Sequence, residues 1–228
     1  TRSLCDWSSD VCSSDLFGAS GFVGSYLLND LLQSDIYDEV TIVVRKPLNI
    51  QHPKLRMLLS DYHNLPQNKS YLVADDVFIA LGTTKKKTPD QKEYYQIDHD
   101  YPVLAAELTK SNGAKSVLLV SAVGANVNSS IFYVKTKGEA EKDIIALNFE
   151  HTHIFRPSMI MGNREESRPM EKVFIKAFSV INTLLIGSLK KYKGISAQKI
   201  AKAMINAAQT EVDKPKIYHW EDMQKLAR

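Results

Sequence analysis

A doubly wound, parallel α/β sheet is the architecture this 228-residue chain predicts. Three observations carry it. Short apolar or β-branched runs alternate with longer helical patterns, the mark of βαβ units. A glycine-rich turn, Gly18-Ala19-Ser20-Gly21-Phe22-Val23-Gly24, leads directly into the first helical pattern. The residues that close the strands fall at carboxyl ends, where such a sheet opens its ligand crevice.

The elements follow in order. Leu27, Leu28, Leu31 and Leu32 give an amphipathic helix from Val23 to about Gln33. After the polar break Asp35-Ile36-Tyr37-Asp38-Glu39, the run Val40-Thr41-Ile42-Val43-Val44 reads as a buried strand closed by Arg45-Lys46-Pro47. Leu55 to Leu59 is the next strand, and Asp76 to Leu81 the one after, ending at Gly82-Thr83-Thr84. A long helix is expected from Gln91 to Asn112, with Ile97, Val103, Leu104 and Leu108 inward and Gly113 as its stop. Ser116 to Val120 is a strand ending at Ser121, Phe132 to Leu147 a helix, and Thr152 to Phe155 a strand ending at Arg156-Pro157. The remainder is less regular. Asn163 to Met170 is a charged loop, and Val173 to Leu189 is apolar and helical in pattern. Ser196 caps a helix to about Ala208, with Ile200, Met204 and Ile205 inward, and Ile217 to Trp220 forms a last strand.

The first 16 residues stand apart. Thr1 to Leu16 holds both cysteines, Cys5 and Cys12, and three aspartates against one arginine. Its Ser-Ser-Asp units nearly repeat, as in translated adapter DNA. A strand feeding this glycine turn should be apolar on both faces, and Asp15 would be costly to bury there. The segment is therefore read as non-native and excluded from fold reasoning, and in the first-strand slot it is expected to fit poorly. Residues 17–228 form one domain with a small C-terminal lobe over about 162–195. The lack of cysteine from Phe17 onward fits a cytoplasmic protein.

Composition narrows the function classes. A net charge of +3, with no basic stripe interleaved with aromatics, argues against nucleic acid. The longest apolar stretch, Val173 to Leu189, is interrupted by Lys176, Asn182 and Ser188, so it is short for a membrane span and suits a core helix or a lid. His151 and His153 lack a third ligand in register, so no metal site is expected. Lys85-Lys86-Lys87 reads as a solvated loop, and His99 and Asp100 as facing solvent.

Chemistry concentrates at the strand ends. A glycine turn feeding a helix N-terminus offers free N–H groups and the positive end of the helix dipole to an anion such as a pyrophosphate. A tight turn without a ligand is the plainer alternative. Arg45 and Lys46 stand where an acid would take an NAD ribose, so NADP(H) is favoured and NAD(H) remains possible. Tyr133 and Lys137 are four apart on one helix face. An ammonium beside the phenol would lower its pKa and make it a usable acid. Ser121, at a strand end 12 residues earlier, could reach the same carbonyl oxygen.

The stretches GASGFVGSYLL, VTIVVRKP, DDVFIALGTTKKK, VLLVSAVGAN, SSIFYVKTKGEAE and FRPSMIMGNREESRP together resemble extended or atypical short-chain dehydrogenase/reductases. Within these, they are similar to the small NAD(P)H-binding proteins related to the human Tat-interacting oxidoreductase. The resemblance implies a Rossmann-type fold with a small C-terminal substrate lobe. It implies a cofactor on Gly18, Ser20, Gly21, Phe22, Val23 and Gly24, reached also by Leu81, Gly82 and Thr83. It makes Tyr133 the proton donor, Lys137 the ligand of the nicotinamide ribose and Ser121 the group positioning the substrate carbonyl. Asp61 would approach the adenine, and Arg156 and Pro157 the nicotinamide. The first strand is the departure from the pattern. The function expected is an NADPH-dependent oxidoreductase acting on a small carbonyl, as a monomer or homodimer. A non-catalytic NADPH sensor is the alternative, and a sugar-nucleotide epimerase is disfavoured by the small C-terminal portion.

Overall fold

The structure is a computed structural model that describes residues 12–162 and 185–228. Strands β1 (Ser13–Phe17), β2 (Glu39–Val44), β3 (Leu55–Leu59), β4 (Asp76–Ile79), β5 (Ser116–Val120), β6 (His151–Phe155) and β9 (Lys216–Tyr218) form a seven-stranded sheet in the order β3-β2-β1-β4-β5-β6-β9. Each neighbouring pair is parallel. The order reverses between β1 and β4, the switch point at which a doubly wound sheet opens its crevice. The predicted fold class is the observed one.

The strands sort their side chains by alternation into two cores. Leu16, Ile42, Val44, Phe78, Leu118 and Phe155 pack with α1 (Phe22–Gln33), α5 (Ala197–Ala208) and Met223 of α6 (Trp220–Leu226). Phe17, Val43, Val77, Ile79, Val117 and Leu119 pack with α3 (Tyr101–Ser111), α4 (Phe132–Ala146) and the 3₁₀ segment Leu65–Tyr71. Burial on both faces is why these strands read as continuous apolar runs. A short parallel pair, β7 (Ile160–Met161) with β8 (Ile195–Ser196), stands beyond the main sheet.

The first correction concerns β1. Ser13 to Leu16 is not outside the fold: with Phe17 it fills the central strand, hydrogen-bonded between β2 and β4. Backbone pairing is blind to side-chain type, and the glycine turn behind it leaves the slot open. The mismatch foreseen for Asp15 is real all the same. It is fully buried, and burial pushes its pKa up to about 7.

The second correction is the long helix. Its α2 (Gln91–Tyr95) and α3 segments are joined by a π-helical turn, Gln96–Asp100. Pro102, Ala105, Ala106 and Thr109 are buried, and Val103 and Leu108, half-buried, pack against the same core as expected. A third concerns the C-terminus. The last strand stops at Tyr218, and Trp220 opens a helix, α6, that the sequence reading missed. Ser196 caps α5 as expected, accepting the Lys199 N–H at 3.3 Å. The charged loop after Gly162 and most of the apolar stretch from Val173, and with them most of the lobe expected over about 162–195, lie outside the described residues.

Candidate functional site

The glycine turn joins β1 to α1, and its three glycines are needed for different reasons. Gly18 has φ +95°, and a Cβ there would stand 2.6 Å from the Ala80 carbonyl oxygen on the neighbouring chain segment. At Gly24 a Cβ would stand 1.9 Å from the Gly18 carbonyl oxygen, so this glycine lets the helix pack onto the strand. Gly21 donates its N–H to that same oxygen at 2.8 Å and is the N-cap of α1. Having no side chain, it leaves the helix N-terminus with no cap of its own to compete with an anion. Ser20 is exposed at the turn, Val23 is buried, and the ring of Phe22 lies against Gly162.

Around this turn stand the ends of β2, β3 and β4. Arg45 and Lys46 are exposed directly after β2. Asp61 follows β3, and its Oδ1 accepts the backbone N–H and side-chain amide of Asn64 at 2.8 and 2.9 Å, holding the loop in place. Lys85, Lys86 and Lys87 are exposed. Leu81, Gly82 and Thr83 leave β4 and meet α4 through a residue the sequence reading did not single out, Asp98.

Asp98 is buried on the π-helical turn. Its Oδ2 accepts the Thr83 N–H at 2.8 Å, and its Oδ1 pairs with the Lys137 ammonium at 2.8 Å. Lys137 also reaches the Leu81 carbonyl at 3.5 Å, and Gly82 packs against both charged groups. This pair alters the expected electrostatics of Tyr133. The phenol is pushed up to about 12, first by desolvation and then by the Asp98 carboxylate. The direction is opposite to the expected fall: burial raises the phenol, and Asp98, the partner of Lys137, raises it further. Beside Asp98, His99 does not face solvent. Its ring nitrogens lie 2.8 Å from Asp100 and 3.0 Å from Asp143 of α4, which ties the two helices together.

Ser121 has its own buried partner. It is buried at the end of β5, and its hydroxyl donates to Glu141 Oε1. The same carboxylate takes Arg156 Nε at 2.9 Å on Oε1 and Arg156 Nη2 at 2.5 Å on Oε2, a bidentate pair. Arg156 is therefore committed to Glu141, while the carbonyl of Pro157 accepts the Val123 N–H at 2.9 Å. Tyr133, Lys137 and Glu141 run along α4 at spacings of four. That repeat was the available signal for Glu141, and it went unread because a carboxylate on a polar helix ordinarily faces water. The His153 Nδ1 lies 2.8 Å from the Tyr218 hydroxyl, and burial lowers its pKa to about 4.

The residues matching a family model described as NAD(P)H-binding run from 18 to 211, covering both the glycine turn and the Tyr133–Lys137 helix. The chain belongs to this NAD(P)H-binding family. "Protein FMP52, mitochondrial" of Candida albicans is 34% identical over 227 residues, covering 94% of this chain and 98% of that protein. "Protein HTATIP2" of Rattus norvegicus is 33% identical over 167 residues, 72% of this chain and 69% of that protein. Among solved structures, UDP-N-acetylglucosamine 4-epimerase from Methanobrevibacter ruminantium superposes with TM-score 0.67 at 20% identity, covering 92% of this chain and 77% of that one. MoeE5 in complex with UDP-glucose and NAD gives 0.66 at 18% identity, covering 90% and 74%. These last two speak for the fold alone. The family match thus supports a nicotinamide cofactor for the chain. The cytoplasmic expectation is overturned, since FMP52 relatives from Candida albicans, Candida glabrata and Aspergillus niger all carry the name mitochondrial. Absence of cysteine says little about compartment when the compartment is itself reducing. Among the described residues, no helix is long and apolar enough to cross a membrane.

Proposed function

We propose that the protein is an NADPH-dependent oxidoreductase that reduces a small carbonyl, with Tyr133 as proton donor. The observation that carries this reading is the buried Asp98–Lys137 pair, which fixes a lysine one helical turn from a half-exposed tyrosine beside the end of β4. The turn from Gly18 to Gly24 and the uncapped start of α1 suit the cofactor's pyrophosphate. Arg45 and Lys46, exposed and unopposed by an acid at the β2 end, suit a 2′-phosphate and hence NADPH over NADH. When bound, the nicotinamide supplies the hydride.

The chain's own residues do the rest. Tyr133 gives its proton to the oxygen of the carbonyl. Lys137, released from Asp98 or shared with it, turns toward the ribose and stabilises the phenolate left behind. Asp98 holds that ammonium in place between β4 and α4 until then. Two features favour a second reading, a cofactor-dependent sensor without turnover: Tyr133 sits near 12, and the Ser121 proton is spent on Glu141. The names of the FMP52 relatives support a mitochondrial setting for either role.

Calorimetric titration with NADPH and NADH, followed by NADPH oxidation against a carbonyl panel, tests both. The expected outcome is tighter NADPH binding, with Tyr133→Phe binding NADPH normally while losing turnover by at least about a hundredfold. Unchanged turnover in Tyr133→Phe sinks the catalytic role. Normal binding with no turnover in either protein favours the sensor.

A further inference from the structure

Ser121 is unlike an ordinary carbonyl-binding serine in one respect: its proton is already committed. A hydroxyl carries one proton and two lone pairs. Glu141 is buried and held by both Nε and Nη2 of Arg156, so it is a carboxylate and can only accept. The hydrogen bond between Ser121 and Glu141 must then be donated by Ser121. The Ser121 N–H is also spent, on the Phe155 carbonyl at 2.7 Å. Nothing on Ser121 remains that can donate to a carbonyl oxygen.

We infer that Glu141 is a specificity-determining positioning residue, turning Ser121 into an acceptor, so that the substrate places a hydroxyl against it: the substrate class is an α-hydroxy carbonyl. The inference rests on the reading that Ser121 lies at the substrate. Tyr133 then serves the carbonyl oxygen, and Ser121 receives the proton of the neighbouring hydroxyl. A plain ketone leaves the lone pairs of a buried hydroxyl unanswered, and sites built around a hydrogen bond reject analogues that lack it. Arg156 acts one step further back. Its two donors pin the Glu141 carboxylate, and thereby fix the sense of the Ser121 hydrogen bond.

Acetoin and butanone form a suitable pair, with one carbon skeleton and a single hydroxyl between them. Affinities for both are measured by NMR titration of the full chain with NADP⁺ present, which requires no turnover, and kcat/KM values with NADPH where turnover occurs. The wild type is expected to prefer acetoin by about tenfold or more. Ser121→Ala should bring the two within about twofold, by losing acetoin rather than by gaining butanone. In Glu141→Gln the amide can donate to Ser121 and release its proton, so the preference should move toward butanone. Ser121→Ala keeps the test valid should Glu141→Gln fold poorly. Equal affinities in the wild type, or a preference that survives Ser121→Ala, overturns the inference. Because these affinities are read without chemistry, a silent Tyr133→Phe or an absence of turnover counts against the oxidoreductase reading alone.

Discussion

Asp15 is a buried carboxyl in the centre of a parallel sheet, flanked in register by Thr41 and Val77. Its pKa near 7 arises chiefly from burial, with Glu39 adding to the rise and Thr41 opposing it. The unfolded group ionises near 4. Between about pH 4 and pH 7 the native state therefore holds a proton that the unfolded chain has released, and stability falls as pH rises. Asp76 on β4, bonded by the Tyr37 hydroxyl at 2.6 Å and raised to about 6, acts in the same direction. Asp15→Val removes the first contribution. Thermal melts should show a variant more stable than the parent at pH 8 by about 4 kcal/mol, with the gap shrinking by about 1.4 kcal/mol per unit on acidification below pH 7. A gap that is independent of pH would mean that Asp15 is not the ionising group.

At the scale of elements, the turn between β1 and α1 is where sequence and backbone fit most tightly. The approach of α1 to the strand leaves no room for a side chain at position 24, where a Cβ would fall 1.9 Å from the Gly18 carbonyl oxygen. That oxygen belongs to the backbone and already accepts the Gly21 N–H, so it cannot swing aside. Gly24→Ala should therefore displace α1, lower stability by about 3 kcal/mol or more, and abolish NADPH binding. Gly113→Ala is the matched control: its φ of +100° costs backbone energy, but a Cβ there meets no neighbour within 4 Å. The control should lose about 1–2 kcal/mol in a denaturant melt and keep its cofactor. Similar losses of binding in the two variants would show that the close packing of α1 is not what builds the anion site.

For the whole molecule, the crevice at the β1/β4 switch point is assembled from strand ends far apart in the sequence, so a ligand there ties distant parts of the fold together. A cofactor that binds only the native state should add stability as its concentration rises. At a hundred times its Kd, NADPH should contribute about 2.7 kcal/mol and raise Tm by roughly 5–10 °C. NADH at the same concentration should do less, and Arg45→Ala with Lys46→Ala should narrow the difference. Equal shifts with both cofactors would remove the case for the 2′-phosphate site.

The sequence by itself determined the sheet, its parallel sense, the glycine turn, and the helix that carries Tyr133 and Lys137. Each of these is written in local periodicity or in a residue with special backbone freedom, and so needs no distant partner to be seen. Tertiary structure alone decided the partners of the site. Asp98 and Lys137 lie on different helices, and Ser121, Glu141 and Arg156 on a strand end, a helix and another strand end. Their meeting depends on the π-helical turn that rotates Asp98 inward and on the crossing of α4 over β5 and β6, neither of which leaves a pattern in the residues nearby. Only there do two lone carboxylates, each of which would read as solvated, become the groups that hold an ammonium and a hydroxyl in place. The central strand shows the same division from the other side. Its polar residues argued against a strand, and six other parallel strands with one open slot between β2 and β4 decided otherwise.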